Sequence, residues 1–216
     1  MDAAPVVRRR DASRNRALVI DAAREVFAAH GLAAPLDRVA ARAGVSRATL
    51  YRNFSDRESL WEAVVTDPLV DILKLAERAA KISSASEALV VYLVGVGERE
   101  AGPDGFVGIM TTRFRPGSSL AVLRERVQSQ VDELVRRAVE EGRVRPDLAE
   151  TDLALVSIAL ASMIERTRDI APDAWRRLLR LLLEGVLTAS ADAVSDQHLL
   201  AVPPIRRNEV WRAFSR

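Results

Sequence analysis

The sequence predicts an all-α protein: a small three-helix unit at the N-terminus, followed by a larger helical bundle. Three observations carry that expectation. Apolar residues recur at helical spacing through almost every segment. Alternating, turn-bounded runs of the strand-forming kind are missing, and β-branched residues are sparse outside apolar helical stretches. The 216 residues, 49% of them apolar, are enough for one large domain or two small ones with a real core.

Each element has its own local reason. From Ser13 to His30, Ile20, Ala23 and Phe27 repeat at helical spacing and Gly31 stops the run, which predicts an amphipathic helix. A short helix is expected over Leu36–Ala43, opened by Pro35 at a first-turn position. Gly44 makes a turn, and Ser46 can cap the next helix by accepting from backbone N–H groups of its first turn. Ser55-Asp56-Arg57-Glu58 has the serine-to-glutamate spacing of a capping box and starts a helix through Trp61, Val64 and Val65. Pro68 is expected to break or kink that helix, with helical pattern resuming over Leu69–Ala80. A serine-rich joint at 83–86 leads to an apolar helix over Ala88–Gly97, and glycines and Pro103 then punctuate. A short segment, Phe106 to Phe114, ends at Pro116-Gly117, and Ser118–Glu141 reads as a long charged amphipathic helix closed by Gly142. Leu153–Arg166 is apolar nearly all round, and Trp175–Ala191 is rich in leucine. Residues 192–216 form a tail with Val202-Pro203-Pro204-Ile205, Trp211, Phe214 and four arginines, for which packing back on the body is the favoured reading over reaching across to a second copy or to DNA.

Composition removes several classes of chemistry. The chain has no cysteine, so disulfides and thiolate chemistry are excluded, and its two histidines, His30 and His198, lie far apart in sequence. No nucleophile–base constellation, phosphate loop or metal-ligand spacing appears, so neither an enzyme, a cofactor nor a metal is expected. There is no apolar run of the roughly 18 residues that a membrane helix needs, and the N-terminus lacks the features of a secretory signal, so a cytoplasmic protein with no membrane partner is expected. Charge is unevenly placed within a net +2: residues 1–55 hold ten arginines and five acids, whereas 56–216 hold 22 basic and 25 acidic residues. A basic end on a nearly neutral body is either a polyanion-binding module or a solvated tail.

The stretch AGVSRATLYRNF, residues 43–54, favours the first. On a helical wheel Leu50 and Phe54 face a core with Val39 and Val45, while Ala48 and Arg52 point away, flanked by Thr49 and Tyr51. A helix, a tight glycine turn and a second short helix with that outward face fit a helix-turn-helix, whose second helix enters the major groove of double-stranded DNA. Arginine can fork to guanine O6 and N7, and threonine offers a hydroxyl and a methyl. Tyrosine can reach a phosphate oxygen, and a small Ala48 lets the backbone approach the groove. The candidate DNA-binding residues are Arg14, Ser46, Arg47, Ala48, Thr49, Tyr51, Arg52, Asn53 and Arg57. Arg57 is expected beside free N–H groups of a helix start that can meet a phosphate, and Arg8, Arg9, Arg10, Arg14 and Arg16 are expected to add backbone or minor-groove contacts.

From Ala17 to Trp61 the chain resembles the N-terminal domain of the TetR family of bacterial transcriptional regulators. The resemblance rests on Phe27 and Gly31, Val39-Ala40, Ala43-Gly44-Val45-Ser46, Thr49-Leu50-Tyr51, Phe54, Glu58 and Leu60. Four positions depart from the usual pattern: Ala48 for glycine, Asn53 for an aromatic residue or histidine, Arg57 for lysine, and Pro35 for a threonine that often caps the second helix and touches a phosphate. The resemblance implies a ligand-responsive repressor that binds a palindromic operator as a homodimer. The alternative is a constitutive or protein-regulated regulator, an activator among the options, with no small-molecule inducer. The domains expected on this reading are 1–55, an arginine-rich arm with the helix-turn-helix, and 56–216, a regulatory and dimerisation domain with the tail. Dimerisation is expected through the helices at about 151–166 and 173–191. A mostly apolar pocket for an unidentified small-molecule effector is expected among the middle helices. Its candidate lining is Trp61, Tyr92, Phe106, Met110, Phe114 and Met163, residues that equally make a plain core; Glu165 and Arg166 could orient a ligand or form an ordinary solvated helix end.

Overall fold

A computed structural model of the chain describes residues 4–31, 33–102 and 114–187, and among them finds eight α-helices and no strand. The helices are α1 (Ala4–His30), α2 (Leu36–Ala43), α3 (Arg47–Asn53), α4 (Arg57–Ala79), α5 (Ala85–Ala101), α6 (Ser119–Glu140), α7 (Glu150–Thr167) and α8 (Ala174–Val186). No helix among the described residues is long and apolar enough to cross a membrane. The tail from 188, and with it the end of the helix expected to reach Ala191, lies outside the described residues, as do Phe106, Met110 and most of the segment expected before Phe114.

Two compact units divide between Pro68 and Leu69. The division expected at residue 55 falls instead just before α4 begins. In the first unit, Val19, Ala23, Phe27, Val39, Leu50, Phe54, Leu60, Val64 and Val65 are buried, and Trp61 meets Phe27 edge-on with ring centroids 6.2 Å apart. The start of α4 therefore packs with the helix-turn-helix.

Four local expectations change. Helix α1 begins at Ala4, so the backbone of the expected arm is already helical at Arg8, Arg9 and Arg10. Pro35 is the N-cap of α2, one position before the first turn, with φ −59° and ψ 134°, and its carbonyl accepts from the Arg38 amide at 3.0 Å. Helix α4 starts one residue later than its serine spacing implied. Asp56 Oδ1 accepts from the Ser59 amide at 2.7 Å, and Ser59 Oγ accepts from the Asp56 amide at 3.3 Å. That reciprocal cap has the form of the expected box shifted by one residue: it serves the Asp56 and Ser59 amides in place of those of Ser55 and Glu58.

Helix α4 also runs unbroken through Pro68. Proline removes one amide from the ladder, and the apolar face on either side, Val64 and Val65 before it, Leu69, Ile72 and Leu73 after it, is buried and holds the helix together.

The second unit packs the end of α4 with α5–α8. Ser84 caps α5, and Ser118 caps α6 by accepting from the Ala121 amide at 3.2 Å. The C-terminal end of α6 closes the corner between α4 and α5. Arg137 donates to the carbonyls of Ala80, Ile82 and Ser83 at 3.0, 3.0 and 3.3 Å. Glu141 accepts from the Ser86 amide at 2.8 Å in the first turn of α5. Cation at a helix C-terminus and anion at an N-terminus both follow the helix dipole. The Ser86 hydrogen bond, joined by the Ser84 hydroxyl, holds the Glu141 carboxyl below the ordinary glutamate value of 4.5 against a smaller desolvation. A pKa lower in the folded state than in the unfolded chain contributes stability above about pH 4.5, lost as pH falls through the folded value. Glu141→Gln is therefore expected to lower Tm at pH 7, with the two proteins converging below pH 4.5. A Tm difference independent of pH would remove the carboxylate's charge as its cause.

Gly97 of α5 lies directly against the indole of the buried Trp175 of α8. The Arg176 guanidinium covers the same indole at 4.5 Å from its ring centroid. Past α6, the Arg145 amide donates to the Val186 carbonyl at 3.0 Å, tying the loop before α7 to the end of α8.

Candidate nucleic-acid interface

The turn between α2 and α3 is built by one glycine and one serine. Gly44 takes φ 66° and ψ 28°, left-handed values that suit glycine. With it, the Val45 amide reaches the Ala40 carbonyl at 3.1 Å and satisfies the end of α2. Ser46 Oγ accepts from the Thr49 amide at 3.1 Å, the N-cap expected from the sequence. Because α3 has only seven residues, well short of the roughly 12–15 that a helix needs to stand alone, its place is set by packing. Leu50 and Phe54 are 1% and 2% exposed, and α3 packs on α1 and α2 through them.

With Leu50 and Phe54 turned inward, Ser46, Arg47, Ala48, Tyr51 and Arg52 are exposed and Thr49 is half-buried. Thr49 Oγ1 lies 2.9 Å from Ser46 Oγ and accepts from Arg52 at 3.0 Å, so three of the candidate side chains form one chain along the helix. Arg47 Nε pairs with Asp37 Oδ1 at 3.1 Å, and its guanidinium carbon lies 5.9 Å from the centre of the Tyr51 ring. Arg14 is exposed on α1.

Other candidates have structural partners. The Asn53 side-chain amide donates to the Thr49 carbonyl at 2.8 Å, which draws it back against its own helix. Arg57 donates to the buried Ala34 carbonyl at 2.6 Å and ties the start of α4 to the loop before α2. Of the amides expected to be free at that helix start, that of Ser59 is taken by the carboxylate of Asp56, whose negative charge disfavours a phosphate there. Arg16, expected among the backbone contacts, donates to the Asn53 carbonyl at 3.2 Å and lies 4.3 Å over the Phe54 ring, closing the C-terminus of α3.

Two roles were absent from the sequence reading: Asp37 as partner of Arg47, and Asp56 as cap of α4. Asp56 has the right spacing to Ser59 to be found by pattern. Asp37 lies ten residues from Arg47 across a turn, and only the crossing of α2 and α3 brings them together.

In the second unit Tyr92 and Phe114 are buried and Met163 is half-buried, whereas Trp61 belongs to the first unit. Burial first, and Glu100 second, push the Tyr92 phenol well above its ordinary value of 10.0, so it stays a neutral hydroxyl. Arg124 lies 5.4 Å over the Phe114 ring. Glu165 and Arg166 are both exposed on α7. An apolar groove of about 270 Å³ runs between α5 and α8, lined by Val90, Val94, Trp175, Leu179, Leu183 and Leu187 among others. A more polar cleft of about 480 Å³ lies between α4 and α5 at Asp71, Arg78, Glu98 and Arg99. Tyr92, Phe114 and Met163 line neither.

Residues 19–64 match the family model described as bacterial regulatory proteins, tetR family, and residues 84–188 match that of the SbtR-like transcriptional regulator C-terminal domain. The HTH-type transcriptional regulator UidR of Escherichia coli (strain K12) is 24% identical over 189 residues, 83% of this chain and 96% of the relative. Among solved structures, the TetR transcriptional regulator SCO0520 from Streptomyces coelicolor is 27% identical, with a TM-score of 0.52 over 81% of this chain and 99% of that one. A tetR-family regulatory protein from Rhodococcus RHA1 reaches a TM-score of 0.63 at 21% identity over 81% and 98% of the two chains, a likeness of fold.

Proposed function

Since the chain belongs to the TetR family of bacterial transcriptional regulators, we propose that it is a ligand-responsive repressor that binds a palindromic operator as a homodimer. The observation that carries the operator reading is the Ser46-capped helix α3, with Leu50 and Phe54 buried and Arg47, Ala48, Tyr51 and Arg52 outward. In that pose the start of α3 enters the major groove. Arg47 and Arg52 reach base edges or phosphates, Ala48 allows close approach, and Tyr51 contacts the backbone. Ser46, Thr49, Asn53, Arg57 and Arg14 position the helix or add contacts to the phosphates.

Dimerisation is assigned to α7 and α8, with the expected segments at about 151–166 and 173–191. Support comes from Leu155 and Leu181, 41% and 49% exposed in the single chain, which a partner would cover. A dimer sets two reading helices about 34–36 Å apart, one turn of DNA. An effector within the second unit, with Tyr92, Phe114 and Met163 as candidate lining residues, would shift α4 and with Trp61 alter that spacing; the candidates Phe106 and Met110 lie outside the described residues.

The test begins with duplexes that the protein selects from fragments of its source genome. Arg47→Ala and Tyr51→Ala are each expected to weaken binding to a selected duplex about tenfold or more in gel-shift titration. Light scattering should report an unchanged dimer for both. Unchanged affinity in both variants would overturn the assignment of α3 as reading helix, and a stable monomer at micromolar concentration would overturn the dimer.

A further inference from the structure

Arg47 occupies the first position of α3, and Asp37 the first turn of α2. Their side chains are 68% and 60% exposed, so burial holds neither in place. Two contacts define where the guanidinium sits: Asp37 Oδ1 at 3.1 Å from Nε, and the Tyr51 ring with its centre 5.9 Å away. A guanidinium carries five N–H donors in a planar fork. A carboxylate on Nε occupies one in-plane edge of the fork and leaves the Nη1–Nη2 edge to make two parallel bonds. Guanine O6 and N7 accept such a pair in the major groove.

An acidic side chain beside a phosphate-rich ligand weakens every sequence-independent contact nearby. Its presence next to a reading arginine makes sense if it trades general affinity for discrimination. We propose that Asp37 is a specificity-determining positioning residue: it holds Arg47 by Nε so that the outer end of the guanidinium selects a guanine rather than swinging to a phosphate. The Tyr51 ring, with its centre 5.9 Å from the guanidinium carbon, flanks the same group. The proposal rests on the reading of α3 as the operator-reading helix and adds the residue that aims it.

The test uses the full-length protein with a duplex that it selects from a random-sequence pool, the same duplex with each guanine of the half-site replaced in turn by adenine, and a mixed-sequence duplex. All titrations run at one salt concentration. The unaltered protein is expected to lose about tenfold or more at one guanine. In Asp37→Asn that loss should shrink to within about threefold, with affinity for the mixed-sequence duplex equal or higher. Asp37→Glu, which keeps the carboxylate, should retain part of the discrimination. If Asp37→Asn strengthens binding to all duplexes by one common factor, Asp37 is only a repelling charge and the proposal fails. If it weakens all of them by one factor with a lower Tm, the role is structural and the proposal fails. A wild-type protein that selects no sequence overturns the operator reading and this proposal with it. A clear selection whose guanine preference survives in Asp37→Asn overturns this proposal alone.

Discussion

Gly97→Ala is expected to destabilise the second unit by about 1–3 kcal/mol, although alanine is the better helix former. In the middle of a helix, alanine gains roughly 0.5–1 kcal/mol over glycine. Against that gain, a Cβ at position 97 would fall 2.6 Å from Cε3 and 2.9 Å from Cη2 of Trp175, and closer still to Cζ3. The indole has little room to yield. It is 1% exposed, and Arg176 covers its face at 4.5 Å. Relief therefore requires α5 and α8 to move apart, which opens the core around Leu179 and Val96. Denaturant titration measures the loss directly. Pairing the change with Trp175→Leu separates clash from other causes. Trp175→Leu alone removes a large buried ring, at a cost of about 3 kcal/mol. In the double variant the two penalties should fall well short of their sum, since the ring that Cβ met is gone. Strict additivity would rule out the clash.

Leu50→Ala is the corresponding expectation in the first unit, and here the readout is function. Leu50 is 1% exposed, and truncating such a leucine costs about 2–5 kcal/mol. That is a large share of the stability a small three-helix unit can hold. Helix α3 is too short to persist without its anchors, so operator binding should be lost more completely than with any exposed reading residue changed. Far-UV circular dichroism should retain most of the helical signal from α5–α8. Leu50→Met, which keeps the volume, should cost less than about 1.5 kcal/mol and preserve gel-shift binding. A Leu50→Ala protein that binds its duplex normally would show that α3 is not held by this contact.

Much of the helix-turn-helix was legible because its chemistry is local. Leu36–Ala43 ends at a glycine in a left-handed turn, Ser46 caps three residues ahead, and the spacing of Leu50 and Phe54 alone turns Arg47 and Tyr51 outward. The errors fall where two local solutions compete. Ser55 to Glu58 and Asp56 to Ser59 both satisfy a capping pattern, and only the fold chooses the second. Pro68 reads as a break or a kink, and the helix continues through it, burial on both sides outweighing one missing amide. Long side chains are the hardest to read. Arg16 and Arg57 look like phosphate ligands in a basic segment, and each also donates to a backbone carbonyl, of Asn53 and of Ala34. Nothing in sequence spacing marks an arginine as having a structural partner, since that partner lies on another element. The same holds for Asp37 with Arg47.

Pro68 has one more consequence, for folding units rather than for shape. It stands at the last position of the first compact unit, in the middle of a continuous helix. Compact units usually meet in loops; here the boundary falls inside a helix, at the residue whose backbone cannot donate to the turn before it. Each half of α4 draws its stability from a different core, Leu60 and Val64 from one, Ile72 and Leu73 from the other. Local opening of the first unit is therefore expected to stop near residue 68 without unwinding the helical segment that serves the second unit, a boundary that native-state hydrogen exchange would locate.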